Sequence, residues 1–294
     1  MYIIIGCGFL GSYLLKRITA ETDEQVVATV RDVKSTLPIK NVTWVPCDVS
    51  ERGDLIRLAS RCGDAPKTVF YFAAAHNIDE VFLHPEASAK VNVDALNTVF
   101  ETIPNIENLF FASTDCVYGE NTNKLPVFFE ASPTNPLNEY GRQKLRAERI
   151  VRARGFTVLR LPFLFGPSIL PQKKHFYDAL CKKLLAHQPI EMIDGFRRSM
   201  LSYSRAADLL FRLSQTADGS LPSIVNVCAD QHYTKYEIGC LLADKLHVSK
   251  DLVCRITEEE GQKFFLDVRA SSTVMDNTLL KKILGITCIE WENS

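Results

Sequence analysis

In the stretch NEYGRQKLRAE, Tyr140 and Lys144 stand four residues apart at what reads as the start of a helix. Residues at that separation share a helical face, one side chain above the other. An ammonium beside a phenol favours the phenolate and brings the tyrosine pKa down towards working pH. A tyrosine so tuned can hand a proton to a carbonyl oxygen, or take one back from an alcohol. That chemistry needs a further hydroxyl to orient the oxygen, and FFASTDCVYG offers Ser113 and Thr114 at the end of an apolar run. Chance alone produces the Tyr–Lys spacing in a chain of this length, and a solvated helix face with a serine cap is the plain alternative. The company the pair keeps decides between them.

That company begins at the N-terminus, where Gly6, Gly8 and Gly11 form G-x-G-x-x-G between an apolar run and a helical pattern, with Phe9 and Leu10 inside the motif. Glycines at these places permit a tight turn, let a pyrophosphate approach the backbone and allow close helix–strand packing. The helix N-terminus adds positive partial charge for phosphates. A dinucleotide is therefore the expected ligand. An acid closing the second strand would bind both ribose hydroxyls of NAD, but here Val30 is followed by Arg31 and only then by Asp32. Arginine can pair with a 2′-phosphate, which favours NADP(H). NAD(H) is the alternative, with Arg31 a solvated loop residue and Asp32 the ribose acid. Asp48 and Val49 close the third strand, where the adenine ring is expected.

These residues need elements to position them. Short β-rich runs alternate with helical patterns: YIIIG, QVVATV, VTWVPCDV, TVFYFAAA, NLFFAST and FTVLRLP read as strands. Between them lie helices over Gly11 to Ala20, from a Ser50 N-cap through SERGDLIRLASRC, from about Ala87 to Glu101, and from the Tyr140 region to Arg154. Continuous apolar strands between helices predict a parallel sheet buried on both faces, an α/β Rossmann-type doubly wound fold. After Gly166 the alternation loosens. Residues 1–165 are expected to form the dinucleotide-binding domain. Residues 166–294 are expected to form a smaller α+β substrate lobe, which returns one strand to the main sheet.

Composition narrows the function classes. Hydrophobic residues make up 46% and charged residues 23% of 294 residues, with 34 basic against 35 acidic. A nucleic-acid binder normally carries a basic face, so no nucleic-acid partner is expected. Nine cysteines are scattered without Cys-x-x-Cys, and the six histidines never pair at ligand spacing, so no metal site is expected in a reduced, cytoplasmic protein. The apolar opening lacks a basic n-region and is broken by glycines. No run approaches the roughly 18 apolar residues of a membrane span.

Four stretches, GCGFLG, AAAHNIDEVFLHPEASAKVNV, STDCVYG and NPLNEYGRQKLRAE, resemble the extended short-chain dehydrogenase/reductase superfamily in order and separation. Within it they are most similar to the dTDP-4-dehydrorhamnose reductase group, and a weaker likeness runs through LRLPFLFGP to DVRASSTVMDNTLLKKILGI. The resemblance implies Thr114 as the hydroxyl of a catalytic triad, Tyr140 as proton donor and Lys144 as its partner and ribose holder. It implies that Ala73, Ala74 and Ala75 line the cofactor and that Pro162 and Phe163 lie near the nicotinamide. His76, Ser113 and Asp115 fall at the edge of the substrate pocket, with a loop or core role as the alternative for His76 and Asp115. Asn92 matches an asparagine that orders the site. Two departures stand out. Ile4 and Ile5 replace the Thr-Gly that opens the motif in many members, which disfavours permanently bound NAD. In RRSMLSYSRAAD, Ser199, Ser204 and Arg205 replace the usual acidic and basic pattern, leaving Arg198 to contact a diphosphate or to sit as a surface arginine.

Together these features predict an NADPH-dependent reductase of a nucleotide-linked keto-deoxysugar, with a homodimer as the assembly to test. The alternatives are an epimerase or dehydratase with bound NAD, and a non-catalytic NADP-binding regulatory subunit. Cys116 after Asp115 disfavours a dehydratase, which usually has an acid there.

Overall fold

The structure, a computed structural model, describes residues 1–120, 127–216 and 221–292. The chain opens with β1 (Tyr2–Ile5), α1 (Phe9–Glu21), β2 (Val26–Val30), β3 (Val42–Pro46), α2 (Arg52–Cys62) and β4 (Lys67–Tyr71). A short α3 (Ile78–Leu83) precedes α4 (Pro85–Ala89), a π-helical stretch over Lys90–Asp94 and α5 (Ala95–Thr102), which run on as one long helix. Then come β5 (Ile106–Thr114), α6 (Glu139–Ala153) and β6 (Thr157–Leu161). The remainder holds β7 (Phe163–Phe165), α7 (Phe176–Leu185), β8 (Ile190–Asp194), β9 (Arg197–Ser202), α8 (Tyr203–Gln215) and β10 (Ile224–Asn226). It ends with β11 (His232–Tyr233), α9 (Lys235–Lys245), β12 (Val253–Thr257), α10 (Glu258–Gln262), β13 (Ser272–Thr273) and α11 (Thr278–Leu284).

Seven parallel strands form the main sheet in the order β10-β6-β5-β4-β1-β2-β3. Every residue of β1, β2 and β6 is buried, because helices cover both faces and no polar alternation is needed. The period of two sorts the side chains. Ile4, Ala28 and Phe110 face α1 and α8 through Leu14, Ile18, Leu209 and Leu210. Ile3, Ile5, Val69 and Phe111 face α2, α5 and α6 through Leu58, Leu96, Ala147 and Val151. Each such aliphatic side chain stabilises the fold by about 1.5–3 kcal/mol on burial. Truncating Leu210 to alanine would cost about 2–5 kcal/mol.

The strand expected to return to the main sheet is β10, whose Ile224 pairs with Val158 of β6. The residues after 165 also supply α8 to the layer over α1. Small sheets complete this half: β11-β9-β13 with β7 beside β9, and the β8–β12 pair. Their core joins Leu180, Leu184, Met192, Ile238 and Leu242. Most of these strands have no counterpart in the sequence reading, since runs this short carry little periodic signal. One helix start also moves. The second helix begins after Glu51, not at a Ser50 cap. Ser50 instead turns its hydroxyl onto Asp48 Oδ1 at 2.7 Å.

The chain leaves β3 at one edge and re-enters beside β1 as β4, so β1 and β4 flank the point where the strand order reverses. Ligands of such sheets bind in the crevice outside the carboxyl ends at this point.

Candidate active site

The glycine turn is shaped by contact on one side and by open space on the other. Gly6 has φ +90°, and a Cβ there would lie 2.4 Å from the Ala73 amide, so only glycine lets β1 end against the end of β4. A Cβ on Gly8 would meet nothing within 4 Å. Gly8 also begins α1 without any side-chain cap. A helix N-terminus thus opens onto a cradle with room for a pyrophosphate, and this chain fits the dinucleotide that its motif implies. Leu10 is buried, while Phe9 lies under Lys173 Nζ at 4.9 Å from the ring centroid and meets the His175 ring at 5.0 Å.

Beyond β2, Arg31 is exposed. Asp32 is also exposed, and its Oδ1 accepts from the Lys34 amide at 2.9 Å, which caps the turn that follows. Asp48 Oδ1 accepts from Ser50, and these bonds, with Arg31 nearby, hold its carboxyl below the ordinary range. Val49 is buried beside it. At the end of β4, Ala73, Ala74 and Ala75 are half-buried. Asn92, in the π-helical stretch, clasps Ala75 by accepting from its amide at 2.9 Å and donating to its carbonyl at 3.0 Å. The same amide group donates to Gln143 of α6 at 2.8 Å, which ties β4's end to the helix carrying Tyr140. His76 follows as an exposed residue, and desolvation, then Lys173, Arg31 and Lys144, push its pKa down.

Asn138 caps α6 by accepting from the Gly141 amide at 2.9 Å. A Cβ on Gly141 would stand 2.8 Å from both the Cys116 carbonyl oxygen and Pro136 Cβ. The first turn of α6 therefore lies against the turn that follows β5, and this sets Tyr140 beside Cys116 and Asp115. One turn on, Lys144 is 2% exposed, with its ammonium 4.0 Å from the Phe111 ring centroid. Among the described residues it has no hydrogen-bond partner. Burial pulls its pKa from 10.5 to about 7, against the pull of Glu148.

The expected priming of Tyr140 is reversed here. Burial, then Cys116 and Asp115, push the phenol up. Lys144 shares the helix face as expected, but burial pulls its ammonium towards the neutral form, so it offers the phenol less charge than an ordinary lysine. In this state the tyrosine holds its proton.

Adjacent residues of a strand point to opposite faces, and Ser113 and Thr114 part accordingly. Ser113, expected at the substrate, is turned away: its hydroxyl donates to Glu148 Oε1 at 2.5 Å. Glu148 in turn receives Arg160 Nε at 3.0 Å and a terminal nitrogen at 2.8 Å. Thr114 stays at the site; it donates to Asp115 Oδ1 at 3.1 Å and accepts from the Cys116 amide at 3.2 Å. Asp115 Oδ2 accepts from Arg198 at 2.7 Å and from the Thr273 hydroxyl. Arg198 is thus no simple surface residue: Asp115 and Thr273 hold its Nη1, while its other guanidinium nitrogens keep their donors for a ligand. Pro162 is buried after β6, and half-buried Phe163 opens β7 beside it.

Lys173, Gln143, Gly141 and Thr273 touch these candidates, and the sequence reading did not single them out. Among the described residues no three His, Cys, Asp or Glu side chains are placed to hold a metal, and no helix is long and apolar enough to cross a membrane.

Comparison with known proteins extends these observations. A model of the NAD dependent epimerase/dehydratase family matches residues 2–228. Methionine adenosyltransferase 2 subunit beta of Danio rerio is 30% identical over 200 residues, covering 66% of this chain and 60% of that protein. The chain therefore spans about three-fifths of that relative's length. Among solved structures, a dTDP-glucose 4,6-dehydratase from Streptomyces venezuelae with NAD bound gives a TM-score of 0.78 at 18% identity, over 98% of this chain and 92% of that one. A hypothetical dTDP-4-dehydrorhamnose reductase from Sulfolobus tokodaii gives 0.78 at 19% identity, over 100% and 97%. At such identities the structural likeness establishes a shared fold.

Proposed function

The chain belongs to the NAD dependent epimerase/dehydratase family, and from that premise we propose that it is an NADPH-dependent reductase acting on the keto group of a nucleotide-linked deoxysugar. The observation that supports this most strongly is Lys144, buried without a hydrogen-bond partner one turn from Tyr140. Residues 1–165 hold the dinucleotide and residues 166–294 supply the substrate lobe. The protein acts in the cytoplasm, as a homodimer, and all nine of its cysteines are free.

Gly6, Gly8, Phe9, Leu10 and Gly11 cradle the pyrophosphate. Arg31 takes the 2′-phosphate, assisted by Lys173. Asp48 and Val49 meet the adenine, and Ala73, Ala74, Ala75, Pro162 and Phe163 border the nicotinamide. When bound, the nicotinamide supplies the hydride that reduces the keto carbon. Tyr140 donates its phenolic proton to the keto oxygen, and its raised pKa keeps that proton in place until it is needed. Thr114 orients the same oxygen by its hydroxyl. Lys144 holds the ribose of the nicotinamide and, with that partner, regains the charge that stabilises the phenolate left behind.

A second reading is favoured by the similarity to the beta subunit of methionine adenosyltransferase 2 and by the Asp115–Arg198 pair drawn across the site. In it the protein binds NADP(H) as a non-catalytic subunit of another enzyme. An assay with NADPH and a panel of nucleotide 4-keto-sugars separates the two. Loss of nicotinamide absorbance that disappears in Tyr140→Phe supports the reductase. NADPH binding with no turnover of any sugar supports the subunit.

A further inference from the structure

Residues from the second half of the chain bring three cations towards the site. Arg198 is paired with Asp115 at 2.7 Å. Arg269 is paired with Asp79 at 2.9 Å and also donates to the Asp267 carbonyl at 2.8 Å. Lys235, the first residue of α9, is different. Among the described residues no acid or hydrogen-bond acceptor meets its ammonium, which lies 5.4 Å from the Phe265 ring centroid and 6.0 Å from that of Phe176.

The acids nearby are committed elsewhere. Asp267 accepts from the Val268 amide at 2.8 Å and the Glu139 amide at 3.4 Å. Glu237 is held by Arg197 at 2.6 Å and by the Thr234 amide in a capping box. Burial lowers Lys235 to about 8, and Arg198 and Arg269 push the same way. A half-buried ammonium crowded by two guanidinium groups is unfavourable without an anion, and such uncompensated groups gather at ligand sites.

The wall that holds Lys235 is joined to the catalytic helix. Asn138, the cap of α6, donates to the Val268 carbonyl at 3.0 Å, next to Arg269. Asp115 links Arg198 to Thr114. We propose that Lys235, framed by Phe265 and Phe176, is the residue that receives the phosphate of the nucleotide-linked substrate, since it is the one of the three cations with no acid already paired to it. This rests on the reductase reading for the class of substrate, and it names the specificity-determining side chain.

The test is calorimetry on NADPH-saturated protein with thymidine 5′-diphosphate and with uridine 5′-diphosphate. Wild type binds at least one of them, Lys235→Met binds it about ten-fold or more weakly, and Lys235→Arg stays within a few-fold. In turnover, Lys235→Met raises KM for the sugar nucleotide and leaves kcat nearly unchanged, whereas loss of a merely structural residue would lower kcat. Equal binding by wild type and Lys235→Met overturns the assignment and leaves the reductase reading standing. NADPH-loaded wild type that takes neither diphosphate removes the nucleotide-linked substrate, and this assignment with it.

Discussion

One helix, α6, carries two buried charged residues a single turn apart, and they are treated in opposite ways. Glu148 is wholly buried and fully met: Ser113 donates to it, and Arg160 grips it through two nitrogens at 3.0 and 2.8 Å while resting on the Tyr118 ring. Lys144 is almost as buried and has only the face of Phe111. A buried charge that is paired and hydrogen-bonded holds architecture together, whereas one left without a partner costs stability and persists where something else will meet it. On the proposed function, the C-terminal half of α6 serves the fold and the N-terminal half serves a ligand.

Substitutions can break or sharpen that contrast. The largest effect is expected at the reacting end, where Tyr140→Phe should lower kcat by about 10²–10⁴-fold without lowering the melting temperature. At the other end, Glu148→Ala strands the Arg160 guanidinium and should cost about 3–5 kcal/mol in urea unfolding. Lys144→Met should do the reverse of Glu148→Ala. The buried ammonium is pulled from 10.5 to about 7. Below about pH 7 folded and unfolded chains both hold the proton, and the penalty is at its greatest. Between pH 7 and 10.5 only the unfolded chain binds it, so wild-type stability from this group rises with pH. The ligand-free Lys144→Met variant should therefore be more stable than wild type at pH 6, by about 1–3 kcal/mol, with the gap closing as pH approaches 10. A variant less stable at pH 6 would make Lys144 a structural residue like Glu148.

Gly141→Ala probes how α6 is seated. Its new methyl would press on the Cys116 carbonyl and Pro136. A loss of about 1–3 kcal/mol in thermal unfolding, with a fall in kcat, is expected. The smallest effect lies at the far end of the cleft. Arg31→Ala should weaken NADPH about ten-fold and NADH little, by fluorescence titration. Equal losses for both would remove the 2′-phosphate assignment.

The glycine turn, the Tyr–Lys pair and the parallel sheet were legible because each is written in neighbouring residues or in a period. What escaped was set by distance along the chain. Thr273 lies 158 residues from the Asp115 it meets, and Arg198 lies 83 away, so no local pattern announces either bond. Ser113 and Thr114 were offered together, yet which of the two faces the site depends on which side of β5 carries Glu148. The expected lowering of the Tyr140 pKa failed for a related reason: spacing along a helix gives proximity, but burial decides whether an ammonium keeps its charge.

The most direct measurement is the pKa of the Lys144 amine, followed by NMR of isotope-labelled lysine in the ligand-free and NADPH-bound protein. The account predicts titration near 7 without ligand and a rise towards the ordinary lysine value once NADPH is bound. A ligand-free value near 10.5, or one that NADPH leaves unmoved, would contradict it.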